Sequence, residues 1–319
     1  MLRLPDELIL YIAAQMNTDS EVNALATTNR RLFLCVDDFL YQRDAQRPSS
    51  RALEWAIICK EERTVMKAVE AGATITIQML KTPKRRSNAT VSMVKLLVDL
   101  ANFDPRITCD GRWTRWTPLW YAVDVGYDPF VTSHLDSDQV DFGARDASGR
   151  TLLWQAAYRG LESTTRLLLE SDKIDADAKD PQGDTALTQA VKNGHESVVR
   201  VLLDSGKVDV NSIDHRQLLG LAAWHGWPPI VKLLLEAGLL ECDTVDEKGR
   251  SPLSRAVLQG QELVVQLLVE SERVDVNLPD GRGRTPLWYA VYEGENDAIV
   301  ELLLSKGAVD LHSESHCRN

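Results

Sequence analysis

The sequence has few cysteines and no long apolar run. Its 319 residues include five cysteines, and no two of them form a Cys-x-x-Cys pair. An odd number of widely spaced cysteines indicates neither a disulfide framework nor a structural zinc site, and it is more typical of a reducing compartment. No run of about 18 apolar residues occurs, and Arg3, Asp6 and Glu7 interrupt any signal-peptide core. We therefore expect a soluble, cytoplasmic protein without a membrane partner.

Positive charge is also scarce. Lys and Arg number 36 against 47 Asp and Glu, which gives a formal net charge of −11. A nucleic-acid-binding protein needs a cationic surface that displaces counterions from the phosphates, so we expect no nucleic-acid partner. A composition that is 44% apolar and 26% charged indicates a folded chain.

The common catalytic and metal-binding motifs are missing. No G-x-S-x-G, P-loop, H-E-x-x-H or Rossmann glycine pattern stands in a fitting context. His312, His316 and Cys317 lie close together, but the polar residues around them favour a frayed tail over a metal site. We expect no enzyme activity, no cofactor and no metal.

What the sequence does contain is an internal repeat. Six segments come into register, and their starts are 34, 34, 32, 34 and 34 residues apart. The segments begin at Thr117, Thr151, Thr185, Gln217, Ser251 and Thr285. Alanine follows five residues after each start, and glycine nine residues after it, at Gly126, Gly160, Gly194, Gly226, Gly260 and Gly294.

Each repeat predicts a pair of helices. Thr or Ser can cap a helix N-terminus, Pro fits its first turn, and Gly supplies the left-handed residue that ends it. A second apolar stretch, such as Leu167-Leu168-Leu169, begins about 17 residues after each start and predicts the second helix. Neither helix can bury its apolar face alone, so neighbouring repeats must stack and share a core.

The period and the Thr/Ser-Pro-Leu motif that begins at Thr117, Ser251 and Thr285 resemble those of the ankyrin repeat. The resemblance covers residues 51–311 and implies an all-α solenoid of about eight helix hairpins, of which the first two repeats are degenerate. It leaves residues 312–319 as a C-terminal tail. The two-residue deletion before Gln217 predicts a local irregularity there.

In the ankyrin family, exposed positions near the end of each first helix contact the ligand. In this sequence they are the two residues before each glycine, beginning with Asp124 and Val125 before Gly126. We call the ten residues before the other five glycines the pre-glycine row. The row consists of Tyr158, Arg159, Lys192, Asn193, Trp224, His225, Leu258, Gln259, Tyr292 and Glu293. Tyr158, Trp224 and Tyr292 are the expected anchors, because exposed aromatic residues often dominate binding energy at interfaces. The alternative is that they are ordinary surface residues or support neighbouring repeats.

Residues 1–45 resemble an F-box, and the pairing with ankyrin repeats resembles fungal F-box/ankyrin proteins. The resemblance rests on Leu4-Pro5-Asp6-Glu7-Leu8 and on Asn29-Arg30-Arg31-Leu32. It implies that apolar side chains bind a Skp-type linker of a cullin ubiquitin ligase, and these would be Leu4, Pro5, Leu8, Ile9 and Ile12. The alternative is that the segment only caps the first repeat.

The sequence thus predicts a protein-interaction scaffold that acts as the substrate-recognition adaptor of an SCF-type ubiquitin ligase. A plain ankyrin scaffold without a ligase is the alternative. A remote third reading is an unusual enzyme in which Tyr158, Trp224 and His225 line a small-molecule pocket. The basic run Lys81-Thr-Pro-Lys-Arg-Arg86 predicts an exposed irregular segment, with a nuclear-import signal as its alternative reading.

Overall fold

The structure, a computed structural model, describes residues 51–59, 61–76, 79–80, 88–101, 117–135, 137, 140–210, 217–238, 241–294 and 296–309. Within these ranges the chain forms fifteen α-helices and no β-strand. The described residues fall into two compact units, of which the first ends at Phe130 and the second begins at Val131. The all-α prediction is confirmed.

The described part of the first unit contains four complete helices. They are α1 (Arg51–Cys59), α2 (Glu62–Glu70), α3 (Asn88–Ala101) and α4 (Pro118–Val125). α1 pairs with α2, and α3 packs against both α2 and α4. Their core contains buried apolar side chains that include Leu53, Val65, Met93 and Leu97. The boundary between the two units falls within α5 (Asp128–His134).

The second unit is a regular stack of five helix hairpins. The hairpins are α6 (Leu152–Arg159) with α7 (Glu162–Glu170), α8 (Ala186–Lys192) with α9 (Glu196–Asp204), α10 (Leu218–His225) with α11 (Pro228–Glu236), α12 (Pro252–Leu258) with α13 (Glu262–Glu270), and α14 (Pro286–Tyr292) with α15 (Asp297–Ser305). The first helices pack side by side in one layer, and the second helices form another. This is the expected solenoid arrangement.

The starts of the first helices follow the predicted capping chemistry. In α6 the Thr151 hydroxyl accepts a hydrogen bond from the backbone N–H of Trp154 at 3.2 Å, and Ser251 does the same for Ser254 at 3.1 Å. Gln217, where the register shifts, makes no such bond at the start of α10. The repeated Thr or Ser therefore satisfies a helix N–H that would otherwise lack an acceptor.

The ends of the first helices depend on glycine for two reasons. Gly194 has a φ of +71°, in the left-handed region that glycine adopts without strain. It also lies under the Trp227 ring of the next repeat, so close that a Cβ there would be 2.7 Å from a ring carbon. Gly294 departs from the prediction, because its φ is not positive and the C-cap residue of α14 is Glu293 in a right-handed conformation.

Three hairpin loops, before α6, α12 and α14, share an Asp-x-x-Gly-Arg pattern. In the loop before α6, one carboxylate oxygen of Asp146 accepts hydrogen bonds from the backbone N–H groups of Ser148 and Arg150. The other oxygen of the same carboxylate pairs with the Arg150 side chain at 2.6 Å. The loops before α12 and α14 repeat the arrangement, with Asp246 bound to Arg250 and Asp280 to Arg284. One aspartate thus fixes both the turn and the arginine.

Several predictions fall outside the described residues. They concern the F-box-like segment 1–45, the basic run 81–86, the irregularity before Gln217 and the tail 312–319. Among the helices that the structure does describe, none is long and apolar enough to span a membrane.

Candidate protein-binding surface

The ten residues of the pre-glycine row all lie at the C-terminal ends of first helices or at the residue that follows. Because α6, α8, α10, α12 and α14 pack side by side, the row runs along one layer of the second unit. None of the ten side chains is buried. Each repeat therefore contributes two side chains, at least partly exposed, to one surface.

Tyr158 lies at the exposed end of a stack of rings and guanidinium groups on α6. Its side chain is 38% exposed, and its ring centroid is 5.3 Å from that of Trp154, with the two planes 18° apart. The Arg150 guanidinium lies 5.1 Å from the Trp154 ring centroid, and that of Arg159 lies 5.2 Å from the Tyr158 ring. Trp154 itself is buried. The stack holds the Tyr158 ring in place while part of the residue remains exposed to solvent.

Tyr292 repeats this arrangement on α14. It is 58% exposed, and its ring centroid is 5.4 Å from that of Trp288. The Arg284 guanidinium lies 5.0 Å from the Trp288 ring and also pairs with Glu293 of the row at 3.2 Å. The same Arg-Trp-Tyr spacing therefore gives an exposed, supported tyrosine in two separate repeats.

In the repeat that contains α8, an ion pair takes the place of the aromatic stack. The Lys192 ammonium pairs with Asp184 at 2.6 Å, and Asp184 stands where Arg150 stands in the preceding repeat. The Asn193 side chain donates to the Gln189 carbonyl at 2.8 Å. This part of the row is polar and bound to its own helix.

Trp224 is less accessible than an isolated surface aromatic. It is half-buried, and its ring centroid lies 5.4 Å from the Arg250 guanidinium and 5.8 Å from that of Arg255, both of which belong to the next repeat. The exposed His225 ring, by contrast, stacks loosely on Trp227, with a centroid distance of 6.5 Å. On α12, Leu258 is half-buried and Gln259 is exposed.

Comparison with known proteins identifies the family to which the repeats belong. A family model described as ankyrin repeats (3 copies) matches residues 126–214 and 219–314, which is more than half of the chain. The chain belongs to the ankyrin-repeat family. No significant match to a curated protein sequence is found.

Two solved ankyrin-repeat structures are similar to this chain. An ankyrin repeat domain from Acinetobacter baumannii AYE is 29% identical, with a TM-score of 0.54, over 60% of this chain and 98% of that one. The ankyrin repeat domain of Bcl-3, described as a unique member of the IkappaB protein family, is 22% identical, with a TM-score of 0.55, over 79% of this chain and 97% of that one. The second likeness concerns the fold alone. The ankyrin-repeat solenoid is typical of non-enzymatic scaffolds that bind other proteins.

In the ankyrin loop before α14, the groups around Asp280 stabilise the charged form of its carboxylate. Burial would raise the pKa of Asp280, but the hydroxyl of Tyr289, at 2.7 Å, and N–H donors of Arg284 and Arg282 outweigh burial and hold this pKa far below its usual range. Burial and the bond to Asp280 raise the pKa of Tyr289 to about 12. The aspartate and the tyrosine thus keep a charge-assisted hydrogen bond at neutral pH.

The loop before α12 contains a second such aspartate. Burial would raise the pKa of Asp246, but hydrogen bonds from Arg250 and Lys248 outweigh burial and lower this pKa. Both loop aspartates therefore remain charged under the ankyrin surface, and each can hold its arginine over the neutral pH range.

A depression of about 550 Å³ lies between α7 and α9, but its arginines, Arg166 and Arg200, are already paired with Glu162 and Glu196 of their own helices. The described residues contain no group of three His, Cys, Asp or Glu side chains that could hold a metal.

The residues named for a small-molecule pocket do not lie together. Tyr158 is on α6, Trp224 and His225 are on α10, and α8 packs between those helices. His195 has a structural role at the contact between two repeats. Its ring lies against Gly160 of the preceding repeat, and its Nε2 lies 3.1 Å from the Tyr158 carbonyl oxygen.

The arginines that lie beside the aromatic rings of the pre-glycine row and of the tryptophans under it were not predicted from the sequence. Arg150, Arg250 and Arg284 each stand one residue before the capping Thr or Ser and four after the loop Asp. That recurrence is visible in the sequence and could have identified them. Arg255 carries no comparable signal, because its place depends on a residue in the preceding repeat.

Proposed function

We propose that the pre-glycine row holds a target protein, with Tyr158 and Tyr292 as its main anchors. The observation that carries the proposal is that both tyrosines are exposed while each is supported by a tryptophan and an arginine. A ring that is already held in position loses little conformational entropy when a partner covers it. Its hydroxyl can also donate or accept a hydrogen bond at the new interface.

The test begins with affinity capture from a lysate of the source organism and identification of the bound proteins by mass spectrometry. With the purified target, Tyr158→Ala and Tyr292→Ala should each weaken binding by more than about tenfold, as expected of hot-spot aromatics. Titration calorimetry measures the change. Leu263→Ala is the control, because Leu263 is 65% exposed on the second-helix layer.

The control should leave the affinity within about twofold of wild type, since it removes apolar surface outside the row. Equal affinities for wild type and the Tyr158→Ala/Tyr292→Ala double variant, with both folded by circular dichroism, would refute the row as the target surface.

We further propose that the protein is the substrate-recognition adaptor of an SCF-type ubiquitin ligase, working in the cytoplasm. The support is the F-box-like sequence of residues 1–45, which offers Leu4, Pro5, Leu8, Ile9 and Ile12 to a Skp-type linker. In this arrangement the ankyrin repeats select the target and the N-terminal segment recruits the ligase.

A pull-down with purified Skp-type linker tests the adaptor role independently of the target. Wild type should bind, and Leu8→Asp should abolish binding, because a carboxylate cannot be buried in an apolar interface without a large desolvation cost. Tyr158→Ala/Tyr292→Ala should bind the linker as wild type does. If the wild-type protein fails to bind the linker, the plain ankyrin scaffold is the correct description.

A further inference from the structure

Arg255 reaches from its own repeat into the preceding one. It belongs to α12, and one of its terminal nitrogens lies on the backbone of Gly220 in α10, only 2.7 Å from where a Cβ would be. Its guanidinium also lies 5.8 Å from the ring centroid of Trp224, one turn further along α10. The missing side chain of Gly220 thus creates the space that Arg255 occupies.

The charge of Arg255 is not compensated by an ion pair with any described residue. Its side chain is only 9% exposed, and its Nε–H is enclosed without a hydrogen-bond acceptor in the part of the chain that the structure describes. Burial is the largest influence on its pKa, which is lowered, with Asp246 opposing the shift and Arg250 adding to it. A buried cation that has no ion pair with a described residue and an Nε–H without an acceptor is unusual, because the lost hydration of that group is not replaced.

Three other arginines beside aromatic rings each have the ion pair that Arg255 lacks among the described residues. Arg150 pairs with Asp146, Arg250 with Asp246, and Arg284 with Asp280. Among the described groups around Trp224, two guanidinium groups and one loop carboxylate therefore leave an excess of one positive charge. This local excess stands in a chain with a formal net charge of −11.

We infer that Arg255, held against Trp224, is a receptor for an acidic side chain, Asp or Glu, of the bound protein. A terminal N–H group of a guanidinium can donate a charge-assisted hydrogen bond to a carboxylate, and the adjacent Trp224 ring restricts the plane of this guanidinium. The inference rests on the proposed target-binding role of the pre-glycine row, since Trp224 belongs to that row. Repulsion by the net negative charge means that an acidic segment must find a local cation in order to bind.

The inference can be tested without knowing the target. The probe is a hexapeptide of alternating glutamate and glycine, acetylated and amidated at its ends, and the reference is its glutamine analogue. Protein with ¹⁵N-labelled arginine is titrated with each peptide at about 0.15 M NaCl, where screening is physiological, and the Nε–Hε signal of Arg255 is followed by NMR. We expect a saturable shift with the glutamate peptide and at least a tenfold smaller one with the glutamine peptide. Sodium acetate, added at the same carboxylate concentration, shows whether a free anion is sufficient.

Arg255→Gln should weaken glutamate-peptide binding at least tenfold. The matched control is Arg200→Gln, which removes the same charge from an exposed pair on the second-helix layer and should leave binding within twofold of wild type. Should Arg255→Gln unfold, the wild-type titration still decides. An unmoved Arg255 signal at saturating peptide, equal shifts with both peptides, or an acetate effect as large as that of the peptide would overturn the inference. The target-binding row would remain tested separately by the two tyrosine variants.

Discussion

At the scale of single residues, Asp243 occupies the place that Asn277 occupies one repeat later. The Asn277 amide accepts from the Val309 N–H at 2.8 Å and donates to the Gly307 carbonyl at 3.2 Å. Asp243 reproduces only the first bond, accepting from the Asp275 N–H at 2.8 Å, and its Oδ1 is buried without a hydrogen-bond partner in the described structure. Burial raises the pKa of Asp243, against the effect of the bond from the Asp275 backbone.

Asp243→Asn should therefore stabilise the protein by about 1 kcal/mol at pH 7, because an amide has the donor that the carboxylate lacks. The raised pKa means that Asp243 favours folding when protonated and loses that contribution as the pH rises through its folded-state pKa. The advantage of the variant should thus shrink toward pH 4. Urea unfolding at both pH values measures it. Asp172→Asn, at a fully exposed position, should change stability by less than about 0.5 kcal/mol.

At the scale of elements, the sequence best predicted the features whose interacting residues lie close together along the chain. Thr151 and Ser251 each accept a hydrogen bond from the backbone N–H three residues later, so a short sequence motif contains both partners of the interaction. The partial burial of Trp224 was not predictable in this way, because Arg250 and Arg255 reach it from the following repeat. The exposure of Tyr158 and Tyr292 followed from register, whereas the excess charge at Arg255 depended on the packing of Gly220.

Helix ends offer a matched pair of variants. Gly194 and Gly260 both have left-handed backbones, with φ of +71° and +65°, but only Gly194 has a ring of the next repeat against it. Gly260→Ala should cost about 1–2 kcal/mol, from backbone strain alone. Gly194→Ala should cost about 1–3 kcal/mol more, because the Trp227 ring must move. Equal losses in the free energy of unfolding would show that the ring contact carries no energy.

At the scale of the whole chain, the described repeats of the second unit pack against their neighbours. α15 packs against α13 and α14 and has no later described helix beside it, whereas α9 lies between α7 and α11. In such a stack, stability is the sum of terms within repeats and between neighbours. A defect at the end should therefore open fewer interfaces than the same defect in the middle.

Leu303→Ala in α15 and Leu202→Ala in α9 test this difference, since both side chains are fully buried. Each should cost about 2–5 kcal/mol. We expect Leu303→Ala to raise hydrogen exchange mainly in α14 and α15, and Leu202→Ala to raise it through α6–α12. Mass spectrometry of exchanged peptides locates the change. Identical exchange patterns would contradict the neighbour-by-neighbour description.

The contact of Gly194 with Trp227 also limits how a repeat array can evolve by duplication and recombination of repeats. The glycine and the ring that requires it lie in different repeats, as do Gly160 with His195 and Gly226 with Gln261. If one repeat were duplicated or exchanged alone, its side chains would no longer match the glycine contacts of the repeat beside it. Recombination should therefore be tolerated best when two adjacent repeats are inherited together.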